Sequence, residues 1–119
     1  MILIVDSGST KTDWCFVYDK YTTHIIQTKG INPVVQSQED IKQTIEDEFV
    51  NKSRHKEIDL HDVHHIYYYG AGCVADKKYI IEQLLKKVFH NNTTISVESD
   101  IMAACHALCG KEEGLVYSR

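Results

Sequence analysis

The 119-residue sequence contains one proline and six glycines, too few for a proline- or glycine-rich linker or a collagen-like repeat. Its four cysteines are scattered and do not form the framework of a disulfide scaffold, so we expect reduced, structural thiols. No apolar run approaches the roughly 18 residues that span a bilayer. A formal net charge of −4 without a basic stripe argues against a nucleic-acid partner.

What the sequence does contain is typical of a small globular protein. A chain of this length is expected to form one domain, with a real core but no deep cleft between two domains. Apolar residues make up an ordinary 43% of the sequence. The first residues resemble a strand more than a signal peptide, so we expect a cytoplasmic protein with no membrane partner.

The first thirty residues predict three strands joined by short turns. A continuous apolar run over residues 2–6 is typical of a central strand that is covered on both faces. Apolar side chains on both faces indicate another interior strand over 13–19, and Ile25 and Ile26 lie at the centre of a third over 23–29. We therefore expect an antiparallel meander.

The remaining sequence alternates between helices and strands. Apolar repeats every three or four residues predict helices over 38–53, over 76–90 and from Ile101 to Gly110. Strands are predicted over 63–69 and 94–98. The order βββ-α-β-α-β-α indicates an α/β fold with a five-stranded mixed sheet flanked by helices.

A polar, glycine-bearing turn follows the first strand. Asp6 stands where this strand leaves the core, and it is followed by Ser7, Gly8, Ser9, Thr10, Lys11 and Thr12. An oligophosphate and its magnesium are held by groups of this kind: unhindered N–H groups at a glycine, several hydroxyls and a lysine. We interpret the turn as a nucleotide-phosphate hairpin with Asp6 as a magnesium ligand, although it lacks the Walker ending and ordinary turn roles are the alternative.

Two further polar turns are predicted at the same edge of the sheet. Gly70, Ala71 and Gly72 follow the fourth strand, and Ser99 and Asp100 follow the fifth. Ligands bind beyond the carboxyl ends of the strands in open α/β sheets, so we expect these turns to converge with the hairpin. Asp100 would then be placed to accept a hydroxyl proton during phosphoryl transfer, whereas helix capping alone also explains its position.

Asn32 is a candidate for contact with a sugar. The next residue, Pro33, biases it away from helical geometry. Its amide offers both a donor and an acceptor, which suits a pair of sugar hydroxyls, and a plain turn role is the alternative.

In this order, the motifs resemble the N-terminal half of N-acetylglucosamine kinase-like proteins. The resemblance rests on the segments 6–14, 30–33 and 69–73, and on Ser99-Asp100 with the helix predicted after it. These proteins belong to the BadF/BadG/BcrA/BcrD ATPase group of the actin, sugar-kinase and chaperone ATPase superfamily, with a ribonuclease H-like fold.

The resemblance implies a kinase that uses ATP and Mg²⁺ to phosphorylate an amino-sugar hydroxyl, with N-acetylglucosamine as the expected substrate. It implies that Ser7–Thr12 contact the ATP phosphates and that Asp6 helps to organise the magnesium. It also implies that Asp100 is the catalytic base, that Asn32 contacts the sugar, and that Gly70–Gly72 line the same pocket.

Members of this group continue into a second phosphate-binding turn and a C-terminal lobe that holds the adenosine. The sequence ends at Arg119, before either feature, so we expect residues 1–119 to be an N-terminal kinase lobe. Such a lobe is expected to be incomplete alone, because closure of two lobes excludes water from the cleft. A non-catalytic fragment or a regulatory sugar-binding module is the alternative, and an open sheet edge can promote a homodimer.

Two other functions stay open at this point. A nuclease of the ribonuclease H type shares the strand order, but the negative charge and the lack of a basic face and a third acid argue against it. An activator ATPase of acyl-CoA dehydratases requires an iron–sulfur cluster shared between subunits, and a colourless, iron-free protein would exclude it.

Overall fold

The computed structural model describes residues 1–99. The elements in chain order are β1 (Ile2–Ser7), β2 (Lys11–Val17), β3 (Thr23–Lys29), α1 (Gln38–Gln43), a π-helical segment (Thr44–Phe49), α2 (Val50–His55), a 3₁₀ turn (Leu60–Asp62), β4 (His65–Gly70), α3 (Lys77–Lys86) and β5 (Thr94–Glu98). The helix predicted from Ile101 to Gly110 lies outside the described residues.

The five strands form one mixed sheet in the order β3-β2-β1-β4-β5. β1 pairs antiparallel with β2 and parallel with β4; β2 and β3 are antiparallel, and β4 and β5 are parallel. The predicted meander and the predicted helix-linked parallel strands are confirmed. The central place of β1 explains its continuous apolar sequence, because Leu3, Ile4 and Val5 are all buried.

The main core lies between one face of the sheet and the helices. Side chains that alternate along the strands contribute to it, with Trp14 of β2 near its centre. The Trp14 ring stacks on Phe49 with centroids 3.9 Å apart, and its Nε1 donates to Thr28 Oγ1 at 3.0 Å. A smaller cluster of Ile4, Cys15 and Val17 lies on the opposite face.

The helical stretch after β3 is longer and less regular than predicted. It runs from Gln38 to His55 with a π-helical segment at its centre. Its apolar residues Ile41, Ile45 and Phe49 recur every four positions, a spacing that drifts by about 40° per repeat on an α-helix. The wider π turn reduces this drift, and all three side chains reach the core.

Other predicted boundaries were less accurate at the turns. β2 begins at Lys11 instead of residue 13, because the hairpin needs only two residues to reverse the chain. α3 ends at Lys86, where the Val88 N–H bonds to Leu85 O at 3.0 Å and tightens the last turn. Within residues 1–99, no helix is both long enough and apolar enough to cross a membrane.

Two helical side chains cover part of the outer edge of β3. Lys52 Nζ donates to Gln27 O at 2.7 Å, and Glu48 Oε1 accepts from the Lys29 N–H at 3.2 Å. The two side chains also form an ion pair at 3.2 Å. These contacts occupy main-chain groups that could otherwise pair with another strand.

The contact between Trp14 and Phe49 can be tested by truncation. We expect Phe49→Ala to lower the free energy of unfolding by about 3–5 kcal/mol, because it removes a ring from the core and leaves a cavity. Tyr21→Ala is the control, since Tyr21 is 88% exposed, and it should change the stability by less than about 0.5 kcal/mol. Urea unfolding followed by far-UV circular dichroism measures both, and similar losses would contradict the assignment of the core.

Candidate functional site

The predicted phosphate hairpin is a two-residue turn between β1 and β2. Ser9 and Thr10 form the turn, and the Gly8 N–H donates to Lys11 O at 2.8 Å. Ser9, Thr10 and Lys11 are exposed. Their hydroxyls and the lysine ammonium are therefore accessible to a ligand that approaches from solvent.

Ser7 and Thr12, in contrast, lie on the inner side of the hairpin and are buried. Ser7 Oγ donates to Ile31 O at 2.8 Å and accepts from the Ile31 N–H at 3.2 Å. It also lies 3.0 Å from Thr12 Oγ1, which must donate because the single Ser7 proton is already used. These two hydroxyls support the turn from within and face away from solvent.

Asp6 is 7% exposed and projects from the face of the sheet opposite to Ser7. The strand register places it directly across from Asp13 on β2 and beside Tyr69 on β4. Asp13 accepts a hydrogen bond from Gln27 Nε2 at 2.9 Å. Two carboxylates at paired positions repel each other, and a cation between them would relieve that repulsion.

The acidic pair alone does not make a complete metal centre. No group of three His, Cys, Asp or Glu side chains in the described part of the chain could hold a metal ion. Asp100, the second acid of the predicted pocket, lies outside residues 1–99.

Gly30 brings a third segment against the hairpin. Its N–H donates to Thr10 O at 3.1 Å. A Cβ at this position would lie 2.5 Å from the carbonyl oxygens of Gly8 and Ser9, so only glycine fits. Gly30 was not among the predicted site residues, although it lies in the segment 30–33 that carries the family resemblance. The available signal was a glycine two residues before the candidate sugar ligand Asn32.

Asn32 is held by bonds within its own loop. Its Oδ1 accepts from the Val34 N–H at 3.0 Å, which also fixes the orientation of the amide. Its main-chain N–H donates to Gln36 Oε1 at 2.8 Å. The side-chain oxygen that was predicted to bind a sugar thus already accepts a hydrogen bond within the loop. One acceptor site of Oδ1 is therefore used within the loop, and the Nδ2 group can donate to a ligand.

The turn after β4 completes the arrangement. The Ala71 N–H donates to Ser7 O at 3.0 Å, which fixes the turn beside the end of β1. Gly72 has a φ of 77°, and a Cβ there would clash with Asn32 Oδ1. The hairpin, the loop of Gly30–Asn32 and the turn of Gly70–Gly72 therefore meet at one edge of the sheet.

The interior behind this edge favours neutral side chains. Burial raises the pKa of Cys73 to about 11, an effect that the charge of Lys78 partly opposes. Burial also raises the pKa of Tyr68. Cys15 and Cys73 are both free and buried, whereas Cys105 and Cys109 lie outside the described residues.

The histidine-rich part of the sequence lies elsewhere. A cavity of about 440 Å³ is lined by residues that include His61, His64 and His90. The His64 N–H bonds to Met1 O, at the start of β1, whereas the hairpin follows its other end. This cavity is separate from the meeting point of the three turns.

The fold of this chain is similar to that of a solved structure. The chain is similar to a crystal structure from Porphyromonas gingivalis that is provisionally named an N-acetylglucosamine kinase, with 36% sequence identity and a TM-score of 0.77. The similarity covers 92% of this chain but only 38% of the other. No protein-family model matches the chain, and no curated protein matches it significantly.

This similarity confirms the predicted fold class. The chain has the mixed five-stranded sheet of a sugar-kinase fold, and its strand order is that of the actin-like, ribonuclease H-like domain. It spans about two fifths of the P. gingivalis chain.

The close approach of Gly30 to the hairpin can be tested with a matched pair of substitutions. We expect Gly30→Ala to destabilise the protein by about 2 kcal/mol or more, because the methyl group meets main-chain carbonyls that have little freedom to move. Gly8→Ala is the control, since its Cβ would meet only Lys11 O, at an ordinary 3.4 Å. Thermal unfolding measures both, and equal effects would contradict the tight packing of the loop on the hairpin.

Proposed function

We propose that residues 1–119 form the N-terminal lobe of an ATP-dependent sugar kinase of the BadF/BadG/BcrA/BcrD ATPase group. In this proposal the γ-phosphoryl group of ATP passes to a hydroxyl of an amino sugar, N-acetylglucosamine. The supporting observation is that the hairpin, the loop of Asn32 and the turn of Gly70–Gly72 meet at the carboxyl ends of β1 and β4. Ligands of open α/β folds bind at such an edge.

The hairpin supplies the proposed contacts to the nucleotide phosphates. Ser9, Thr10 and Lys11 are exposed, and their N–H, hydroxyl and ammonium groups suit phosphate oxygens. Ser7 and Thr12 act indirectly, because their hydroxyls hold the turn in shape from the buried side.

The donor set at the end of β1 fits Mg²⁺. Carboxylate oxygens are the ligands this hard cation prefers, and it is often held by one or two of them together with substrate phosphates. Asp6 would hold the cation, and Asp13 lies at the paired position on β2. When bound, Mg²⁺ neutralises charge that develops on the phosphoryl group during transfer.

The sugar is proposed to bind beside Asn32. Because its Oδ1 is engaged by the Val34 N–H, Asn32 recognises the sugar by donating from Nδ2 to a ligand oxygen. Gly70–Gly72 line the same space. Glycine at position 72 keeps side-chain atoms out of the contact with Asn32.

The remaining chemistry is assigned to Asp100 and to a second lobe. Asp100 is proposed to accept the proton of the attacking sugar hydroxyl, as the resemblance implies. Most of the rate enhancement in phosphoryl transfer comes from positioning and charge stabilisation, which here require closure against a C-terminal lobe. The P. gingivalis chain is long enough for such a lobe, since this chain spans 38% of it.

Amide chemical shifts can test the two binding sites separately. In ¹⁵N-labelled protein, we expect Mg²⁺-ATP to shift the amide signals of Gly8, Ser9 and Lys11, because the phosphates lie on this turn. N-acetylglucosamine should shift the signals of Asn32 and Gly72 instead. Shifts confined to other surfaces, or none at saturating ligand, would contradict the proposed function.

The role of Asp100 predicts a separation of binding from turnover. In a protein that carries a C-terminal lobe after residues 1–119, we expect Asp100→Asn to lower N-acetylglucosamine-dependent ADP formation by about 100-fold or more while ligand-induced shifts persist, because a neutral amide does not accept the proton. Asp47→Asn on the exposed side of the π-helical segment is the matched control. If wild-type protein with that lobe binds both ligands but forms no ADP, the alternative of a non-catalytic sugar-binding module is favoured.

A further inference from the structure

We propose that Gln36 is a positioning residue that holds the sugar-recognition loop against the phosphate hairpin. The inference rests on the proposed function and adds to it a residue that does not itself contact either ligand. Its basis is the pattern of bonds that the half-buried Gln36 side chain makes in the loop after β3.

Three hydrogen bonds of Gln36 return to the same short segment. Its Oε1 accepts from the Asn32 N–H at 2.8 Å, and its Nε2 donates to Gly30 O at 3.1 Å. Its main-chain N–H donates to Asn32 O at 3.0 Å. A single planar amide thus spans the segment from Gly30 to Asn32, using both its donor and its acceptor.

The segment that Gln36 holds is the junction between the two proposed binding sites. Gly30 is in contact with the carbonyls of Gly8 and Ser9 on the phosphate side. Asn32 faces Gly72 on the sugar side. By fixing both ends of the segment, Gln36 sets the position of Asn32 Nδ2 relative to the hairpin.

Such a constraint acts on affinity through preorganisation. A loop already held in its binding conformation loses less conformational freedom when the ligand arrives, so the measured affinity is higher. Glutamine suits this position because it offers both a donor and an acceptor. Glutamate keeps the acceptor and lacks the donor, and methionine has a similar length with neither.

The test compares Gln36→Met with Gln38→Met. Gln38 is an exposed residue of α1 and serves as the matched control. We expect Gln36→Met to weaken N-acetylglucosamine binding by about 10-fold, as measured by titration of amide shifts, because two hydrogen bonds that order the loop are lost. Binding of Mg²⁺-ATP at Ser9–Lys11 should change by less than about 2-fold, since Gly30 still packs on the hairpin.

A second measurement follows the loop without any ligand. Hydrogen exchange of the Asn32 amide should be about 10-fold faster in Gln36→Met and unchanged in Gln38→Met, because the acceptor Oε1 is removed only in the first. Gln36→Glu retains an acceptor and should keep this amide protected.

The outcomes separate the two proposals. If wild-type protein and Gln36→Met bind the sugar equally well, the positioning role is wrong and the proposed function stands. Parallel losses of sugar and nucleotide binding in Gln36→Met would also overturn it, since they indicate general disruption. Wild-type protein that binds neither ligand would overturn the proposed function, and the positioning role with it.

Discussion

The close packing of Gly30 on the backbone of the hairpin is the constraint on which the arrangement of the site depends. At this point the main chain after β3 contacts the carbonyls of Gly8 and Ser9 with no side chain between them. Directly beside it, the Ser7 hydroxyl bonds to both main-chain polar groups of Ile31. Because these contacts fix the end of β1 and the loop of Asn32 together, a ligand held by one lies within reach of the other.

The hydrophobic core stabilises the strands that carry the hairpin and the loop of Gly30. β1 is central in the sheet, and its apolar residues are buried on both faces. Trp14 of β2 stacks on Phe49 and donates to Thr28 of β3, so the three strands of the meander share one packing unit with the helical stretch. A loop fixed to such rigid strands holds its polar groups in place with little conformational cost on binding.

The residues of the hairpin have different roles because some face solvent and others face the interior. Outward residues of the turn are accessible to a ligand, whereas Ser7 and Thr12 use their hydroxyls to hold the turn itself. Asp6 projects to the other face of the sheet, opposite Asp13. The P. gingivalis structure has a similar fold over 92% of this chain. The activity proposed here depends on a lobe beyond that common part.

Within residues 1–99, the sequence by itself determined the order of the five strands and of the longer helical stretches between them. Apolar periodicity predicted β3 and β5 at their observed bounds, and it predicted the helical stripe of Ile41, Ile45 and Phe49, because local burial patterns follow strand and helix geometry. The order of the motifs also predicted that the hairpin and the turn of Gly70–Gly72 lie at one edge of the sheet.

Only the tertiary structure decided which polar groups of those turns are free to act. Strand register sets the inward direction of Ser7 and Thr12 and the pairing of Asp6 with Asp13. Loop packing sets the close approach of Gly30 to the hairpin. The engagement of Asn32 Oδ1 and the bonds of Gln36 depend on the conformation of a single loop. Periodicity reports which residues are buried. It carries no information about which donors and acceptors a particular turn leaves unpaired, because that depends on contacts between segments distant in the chain.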